Sequence, residues 1–538
     1  MFWTIFTACT VALALFNLWM EMRRDLMMLQ QNSYRNERYT RWLKASADST
    51  STWRLAGLIV FFICLFPMAT HHGAMLLTAV FALWHGFSLI AKSRTYKLPL
   101  KTTPRVCRLE GAFVLICLVV IAAALALSGA FSCGEPLEEA LYVAAVAALG
   151  CYCASHLITM AANIILRPWE NAINRKYYND AASRLAAMPD LKVIGITGSY
   201  GKTTTKHYLH RILSEEFDTL MTPGSFNTTL GVVRTVREYL KPYHQVFICE
   251  MGAKQNGDIR EICDLVHPHA GIITAVGPQH LESFKTIENV QSTKFELADA
   301  IPSSGLVLLN NDFPKIADRP VSNCACQRYA VEAPEGADWV AEDIEYSPKG
   351  SSFTAVHRSD GHRIPLSTKL LGACNISNLL AATAMAKHLG MADEKIRRAV
   401  EKIEQVEHRL SIKRIPGGLT ILDDAFNSNP VGSKMALDVL AGMPGKRILI
   451  TPGMIELGPR QAELNEAFGE HAASCCDLAV VVGEYNRLPI TDGLRKAGFP
   501  TEAIHTVDTF KEAQALLATL SVPGDTVLYE NDLPDTFN

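Results

Sequence analysis

Residues Lys192 to Leu213 read KVIGITGSYGKTTTKHYLHRIL, a short apolar run, a glycine-rich turn and a helical pattern. Gly195, Gly198 and Gly201 let backbone N–H groups close on phosphate oxygens, and a helix beginning near Lys202 adds its positive dipole end. Lys202 is spaced to reach β and γ phosphates, and the Thr203 hydroxyl suits Mg²⁺. The spacing departs from G-x4-G-K-[ST], because position 196 is Ile and the inner glycine is Gly198. A plain glycine-rich turn is the competing reading, and the KTTT run argues against it.

The elements that must position this turn follow from the pattern around it. From Leu191 onward, VIGIT, VFICEMG, GIITAVG, LVLLNND, RILITPG, LAVVVGE and DTVLYE are strand-like, and several lack a polar face. Such runs suit parallel strands covered on both sides. Helical stretches such as NLLAATAMAKHL lie between them, which is the alternation of a doubly wound α/β sheet. A change of character near Val406–Pro416 marks a second α/β domain running to the C-terminus.

The residues before the turn are of another kind. Five apolar segments, about Phe2–Met20, Leu55–Ala69, Gly73–Ala91, Gly111–Phe131 and Ala140–Leu166, are long enough for helices crossing a core of roughly 30 Å. The second is short and ends at Pro67, so the second and third are also readable as a re-entrant pair. The loops after segments one and three are rich in Lys and Arg, whereas MATHHG and SCGEPLEE carry neither. That alternation puts the N-terminus outside and everything after Leu166 in the cytoplasm. Segment one lacks a basic n-region, which favours an uncleaved anchor over a signal peptide. His71, His72 and His85 fit interfacial positions better than a metal or proton path. No carboxylate or lysine lies inside the five segments, so an anchor or lipid-substrate platform is preferred to a transporter.

The net charge of −3 is unremarkable and argues for neither a nucleic-acid binder nor a polyanion, and no nucleic-acid partner is expected. The 14 cysteines are scattered and form no C-x2-C pair of pairs, which disfavours a disulfide framework or a zinc site.

The GITGSYGKTTT variant resembles the nucleotide loop of the Mur ligases, and segments over about residues 190–480 agree with that family in order. CEMGAKQNGDI resembles the strand-end carboxylate motif of the MurF branch, which adds D-Ala-D-Ala, and places Glu250. AVGPQHLESF resembles the histidine segment and places His280; QSTKFELADAI resembles the carbamylated-lysine segment and places Lys294. GACNISNLLAAT resembles the adenine-contacting segment, with Asn375 and Asn378; HRLSI places Arg409 and LDDAFNSNP places Asp424 on the ribose side. PGMIELG resembles a further motif of the C-terminal domain, and SFNTTLGVV, with Asn227, an early substrate-side segment.

The resemblance implies a fold and a chemistry. The fold is an α-helical membrane domain (1–166), a linker (167–190), a central P-loop domain with a parallel sheet (191–405) and a Rossmann-like α/β C-terminal domain (406–538). ATP would contact Gly198, Ser199, Gly201, Lys202, Thr203, Thr204, Asn375, Arg409 and Asp424. Thr203, Glu250, His280 and a carbamate on Lys294 would hold two Mg²⁺ ions, with Lys202, His280 and Lys294 catalytic. The reaction would convert a carboxylate to an acyl phosphate, which an amine then attacks. The partners implied are the bilayer, an amino acid or dipeptide amine, and a peptide or glycopeptide acceptor, either soluble or lipid-linked.

Several departures bear on the substrate. MurF-type ligases carry an N-terminal domain that grips a UDP-linked substrate, but residues 167–190 leave no room for one. LYENDLPDTFN stands where K-G-S is usual, Cys374 where histidine is common, and Gly453 where aspartate is frequent. Two alternatives stay open: amide ligation of another polymer such as polyglutamate, and a membrane scaffold with a decayed nucleotide site. The LDDAFNSNP and MIELG motifs speak against the first, and the intact loop and metal-type residues against the second.

Overall fold

The computed structural model describes residues 1–45, 71–91, 98–128, 137–279, 281–347, 350–415, 418–426 and 428–532. The chain divides into two compact units, Met1–Arg175 and Lys176–Leu533.

The first unit is helical. Phe2–Gln31, His71–Ala91 and Pro104–Ser128 contain stretches long and apolar enough to cross a membrane. Leu137–Cys153 and Ser155–Ala186 pass that test only together, and they meet at 75°. The segment Ala140–Leu166 is therefore two helices rather than one. At the break, the Ser155 hydroxyl donates to the Asp25 carboxylate at 2.6 Å. The segment Leu55–Ala69 lies outside the described residues. The first helix continues past Met20 and buries Glu21 and Asp25, and Tyr39 also donates to Asp25, at 2.8 Å. Leu18, Met22, Leu26, Phe113 and Tyr152 form the apolar core of this unit. The stretch 167–190, expected as a linker, is helical as far as Ala186.

The second unit contains two sheets. The first has strands β1 (Lys192–Thr197), β2 (Thr219–Met221), β3 (Val246–Glu250), β4 (Ala270–Ile273), β5 (Leu306–Asn310), β6 (Ala325–Ala330), β7 (Trp339–Ser347), β8 (Gly350–His357) and β9 (His362–Thr368). Their order is β2-β3-β1-β4-β5-β6-β7-β8-β9, parallel from β2 to β7, with β8 and β9 antiparallel. β1, β3, β4 and β5 are almost wholly buried because both faces are covered. Ile194, Ile196, Ile248 and Leu308 pack towards Tyr208, Leu209 and the helix Ala373–His388. Val193, Phe247, Ile273 and Leu309 pack towards the helices Thr229–Glu238, Asp258–Val266 and Ile287–Ala300.

The second sheet has β10 (Ser411–Arg414), β11 (Thr420–Asp424), β12 (Arg447–Thr451), β13 (Leu478–Val482), β14 (Ile504–Val507) and β15 (Thr526–Glu530). The order is β10-β11-β15-β12-β13-β14, parallel except for the edge strand β10. All the strands anticipated from apolar runs are present. The antiparallel extension β7–β9 was not anticipated, because its strands alternate or face solvent in part.

Candidate active site

β1 and β3 lie side by side with Ile196 opposite Glu250, so the strand-end carboxylate sits next to the start of the glycine-rich turn. The turn occupies Gly198–Gly201, and the helix Lys202–Leu213 starts at its end. Gly198 has φ +152°, and a Cβ there would collide with the Thr274 side chain and approach the Ala275 backbone nitrogen to 2.9 Å. Only glycine fits. The loop after β4 braces the turn: Ser199 N donates to Ala275 O at 2.7 Å, and the Ser199 hydroxyl to Gly277 O at 3.1 Å. Tyr200 OH donates to Pro278 O at 3.2 Å.

Lys202 folds back on the turn, its Nζ donating to Gly198 O at 2.6 Å and Ser199 O at 3.1 Å. Burial pushes its ammonium down to about 8, although Glu250 opposes the shift. Thr203 donates to Glu250 Oε1 at 3.0 Å, and Asn227 Nδ2 donates to the same oxygen at 3.0 Å. Glu250 is 1 % exposed. Burial alone would raise its carboxyl, but Lys206 and Lys202, with Asn227, hold it below the ordinary carboxylate range.

Lys206 is the residue that sequence reasoning missed. It is fully buried, stands 2.9 Å from Glu250 Oε2, and donates to Gly224 O at 2.6 Å. Its position offered a signal: three residues after Thr203, it shares that residue's helix face.

Lys294, on the helix Ile287–Ala300, is 2 % exposed. Burial, reinforced by Lys202, pushes its ammonium down to about 7. Ser199 and Thr204 are buried within the turn and the helix that follows it. His280 lies outside the described residues.

Asn375 and Asn378 face the helix that follows the turn. Tyr208 OH donates to Asn375 Oδ1 at 2.7 Å, Asn375 Nδ2 donates to Leu371 O at 2.8 Å, and Thr205 donates to Asn378 Oδ1 at 3.0 Å. Asn227, anticipated on the substrate side, directs its amide at Glu250. In the second sheet, Asp424 Oδ1 accepts from Leu410 N at 2.9 Å. Burial pushes Asp424 up to about 6 against the pull of Arg409. The Arg409 guanidinium lies 4.2 Å from the centre of the Phe426 ring, and its charge reaches Lys202 and Glu250. Gly453 has φ +77°, and a Cβ there would stand 2.5 Å from Asn465 Oδ1, so this backbone does not take an aspartate.

A strand, a glycine turn and a helix, with a buried carboxylate on the neighbouring strand, recur in known proteins. The profile described as the Mur ligase middle domain matches residues 196–386. The profile described as the Mur ligase glutamate ligase domain matches residues 408–529. The chain belongs to the Mur ligase family. Among curated Mur ligases, it is 31 % identical over 286 residues to the UDP-N-acetylmuramoyl-tripeptide–D-alanyl-D-alanine ligase of Haemophilus influenzae. That match covers 52 % of this chain and 61 % of the relative, so the chain spans about three fifths of the relative's length. The enzyme of the same name from Bacillus subtilis is 29 % identical, with 63 % of this chain and 72 % of that one covered. The crystal structure of MurF from Acinetobacter baumannii superposes with a TM-score of 0.61 at 27 % identity, covering 68 % of this chain and 78 % of that one. Residues 1–195 precede both matched domains of this Mur ligase.

Proposed function

We propose that the chain is a membrane-anchored, MurF-like, ADP-forming ligase that makes an amide bond in a cell-wall peptide precursor at the cytoplasmic membrane face. The observation that carries this reading is the pairing of a glycine-only phosphate turn with a buried, lysine-compensated carboxylate, Glu250, in hydrogen-bond contact with Thr203. Names of relatives support it further, since those compared above are D-alanyl-D-alanine ligases.

In this reading the γ-phosphoryl of ATP passes to an acceptor carboxylate, giving ADP and an acyl phosphate. An amine then attacks the acyl carbon, phosphate leaves, and the nitrogen loses a proton. Gly198, Ser199, Gly201, Lys202, Thr203 and Thr204 hold the phosphates, and Lys202 exchanges its two carbonyl partners for phosphate oxygens. Asn375, Arg409 and Asp424 border the nucleoside. The hard oxygens of Thr203 and Glu250 fit Mg²⁺. Two such ions, the second held by His280 and a Lys294 carbamate, would neutralise charge during phosphoryl transfer. Lys294 is suited to carbamate formation because only the neutral amine attacks CO2, and its buried ammonium gives up its proton near pH 7. Asn227 links the substrate side to Glu250.

We read the domain limits as 1–166 for the membrane part, 167–190 for the connection, 191–405 for the central domain and 406–538 for the C-terminal domain. The acceptor is a peptide or glycopeptide, and its lipid-linked form suits a chain whose membrane helices stand where a UDP-binding domain would. The test is ADP release by the detergent-purified full chain against a panel of muropeptides and amino acids or dipeptides. Turnover that needs both an acceptor and an amine supports the reading. Absence of turnover with every pair, despite ATP binding, contradicts it.

A further inference from the structure

Among the described residues, one cluster in the second unit brings together three side chains of metal-ligating type. Asp438 lies on the helix Pro430–Ala441, and His471 and Cys475 lie one turn apart on the helix Gln461–Cys475. His471 Nε2 stands 2.7 Å from Asp438 Oδ1 and 3.6 Å from Cys475 Sγ, and the three ligand atoms all lie within 4.8 Å of one another. The same ring nitrogen faces both partners, and a single N–H cannot serve both well.

The distances can be set against those of a tetrahedral zinc site. With Zn–S near 2.3 Å and Zn–N and Zn–O near 2.0–2.1 Å, ligand-to-ligand edges are roughly 3.3–3.6 Å. The His471–Cys475 edge, fixed by one helix, already has that length. The His471–Asp438 edge must open by roughly 0.6 Å to reach it. Asp438 has room to do so, since its side chain is 52 % exposed. Cys475 is the rigid member, at 3 % exposure. Thiol plus imidazole selects a borderline-soft cation over Mg²⁺ or Ca²⁺. The neighbouring Cys476 is directed elsewhere, its Sγ donating to Ala472 O at 3.2 Å.

We propose that Cys475, His471 and Asp438 form a site for a zinc-type divalent cation, with water as the fourth ligand. Binding releases the Cys475 thiol proton to solvent, leaves the metal's oxidation state unchanged, and ties the two helices together. The cysteine spacing gave no hint of it, because two of the three ligands are not cysteines and one comes from another helix. The site is independent of the proposed ligase chemistry, and its test does not read activity.

The full chain in detergent, stripped with a chelator, is titrated with Co²⁺ and followed by absorption. The expected result is that one equivalent of Co²⁺ carries a sulfur-to-cobalt charge-transfer band and the strong visible bands of four-coordinate cobalt, both lost on adding Zn²⁺, while any Co²⁺ on the oxygen ligands of the nucleotide site shows no such charge-transfer band. Cys475→Ser should abolish the charge-transfer band, while Cys476→Ser keeps it. Asp438→Asn and His471→Gln should each weaken binding at least about tenfold. Absence of a thiolate band in the wild-type chain would overturn the proposal, as would a band that survives in Cys475→Ser. Should Cys475→Ser fail to fold, His471→Gln at its part-exposed position decides the matter, and wild-type affinity there would also overturn it.

Discussion

Glu250 carries its charge at 1 % exposure because Lys206 stands 2.9 Å away and two further side chains donate to its other oxygen. Breaking a buried pair by removing one partner costs about 3–5 kcal/mol. Lys206→Met should therefore lower the melting temperature and lower the Mg²⁺ concentration needed at Glu250, because the ammonium that competes with the metal ion is gone. Adding Glu250→Gln should restore much of the stability, since no unpaired charge remains, but not the rate. Thermal melts and Mg²⁺ titrations of the single and double variants check this, and a Lys206→Met protein with wild-type values in both would contradict it. Lys294 gives a pH test. Its folded value near 7 lies below the ordinary 10.5 because of burial. Between those values the unfolded chain binds the extra proton, so stability rises with pH from about 7 towards 10.5, and at or below about 7 the full cost of burying this ammonium is present. In the folded chain the amine available to CO2 rises as the pH passes through about 7. Turnover should gain a bicarbonate dependence above about pH 7, and Lys294→Ala should lose orders of magnitude in rate with ATP affinity retained. Equal loss of ATP binding would recast Lys294 as a structural residue.

At the scale of elements, the buried parallel strands were legible because residues such as Ile194, Phe247 and Leu308 leave no polar face for solvent. The turn was legible because its glycines and KTTT sit in consecutive positions. What could not be read was contact across elements. Asn375 was legible only as part of a motif, and nothing in the spacing showed that its carbonyl oxygen accepts from Tyr208 on the helix after the turn, a pairing 167 residues apart. Lys206 escaped for the same reason, since its partner is on another strand. The break at Ala154 escaped because no proline or glycine marks it, and the Ser155 contact found there is with Asp25, far back in the chain. The Asn375 contact can be weighed directly. Asn375→Ala leaves the buried Tyr208 hydroxyl without its acceptor, at a cost of about 1–3 kcal/mol. Denaturant unfolding should show that loss, and Tyr208→Phe added to it should recover part. Gly198→Ala should lose nucleotide binding, because the new Cβ meets Thr274 and the Ala275 backbone.

For the whole molecule, the account joins a helical unit that carries candidate membrane spans to a Mur ligase middle and C-terminal pair. The alternating loop charges predict that a Glu135→Cys probe is labelled from outside intact cells and an Arg38→Cys probe is not. The native cysteines, above all Cys133 in the same loop as the Glu135 probe, must first be replaced. External labelling of a C-terminal probe would reverse the orientation. The central claim is that the glycine turn drives amide formation, and one measurement addresses it most directly. The purified full chain is given ATP, Mg²⁺, a muropeptide acceptor and an amine, and ADP and the new amide are counted together by mass spectrometry. The account predicts equal amounts of both, and loss of both by a factor of at least about a hundred in Lys202→Ala. ADP formed without any amide across the whole panel, or amide formed undiminished by Lys202→Ala, would contradict it.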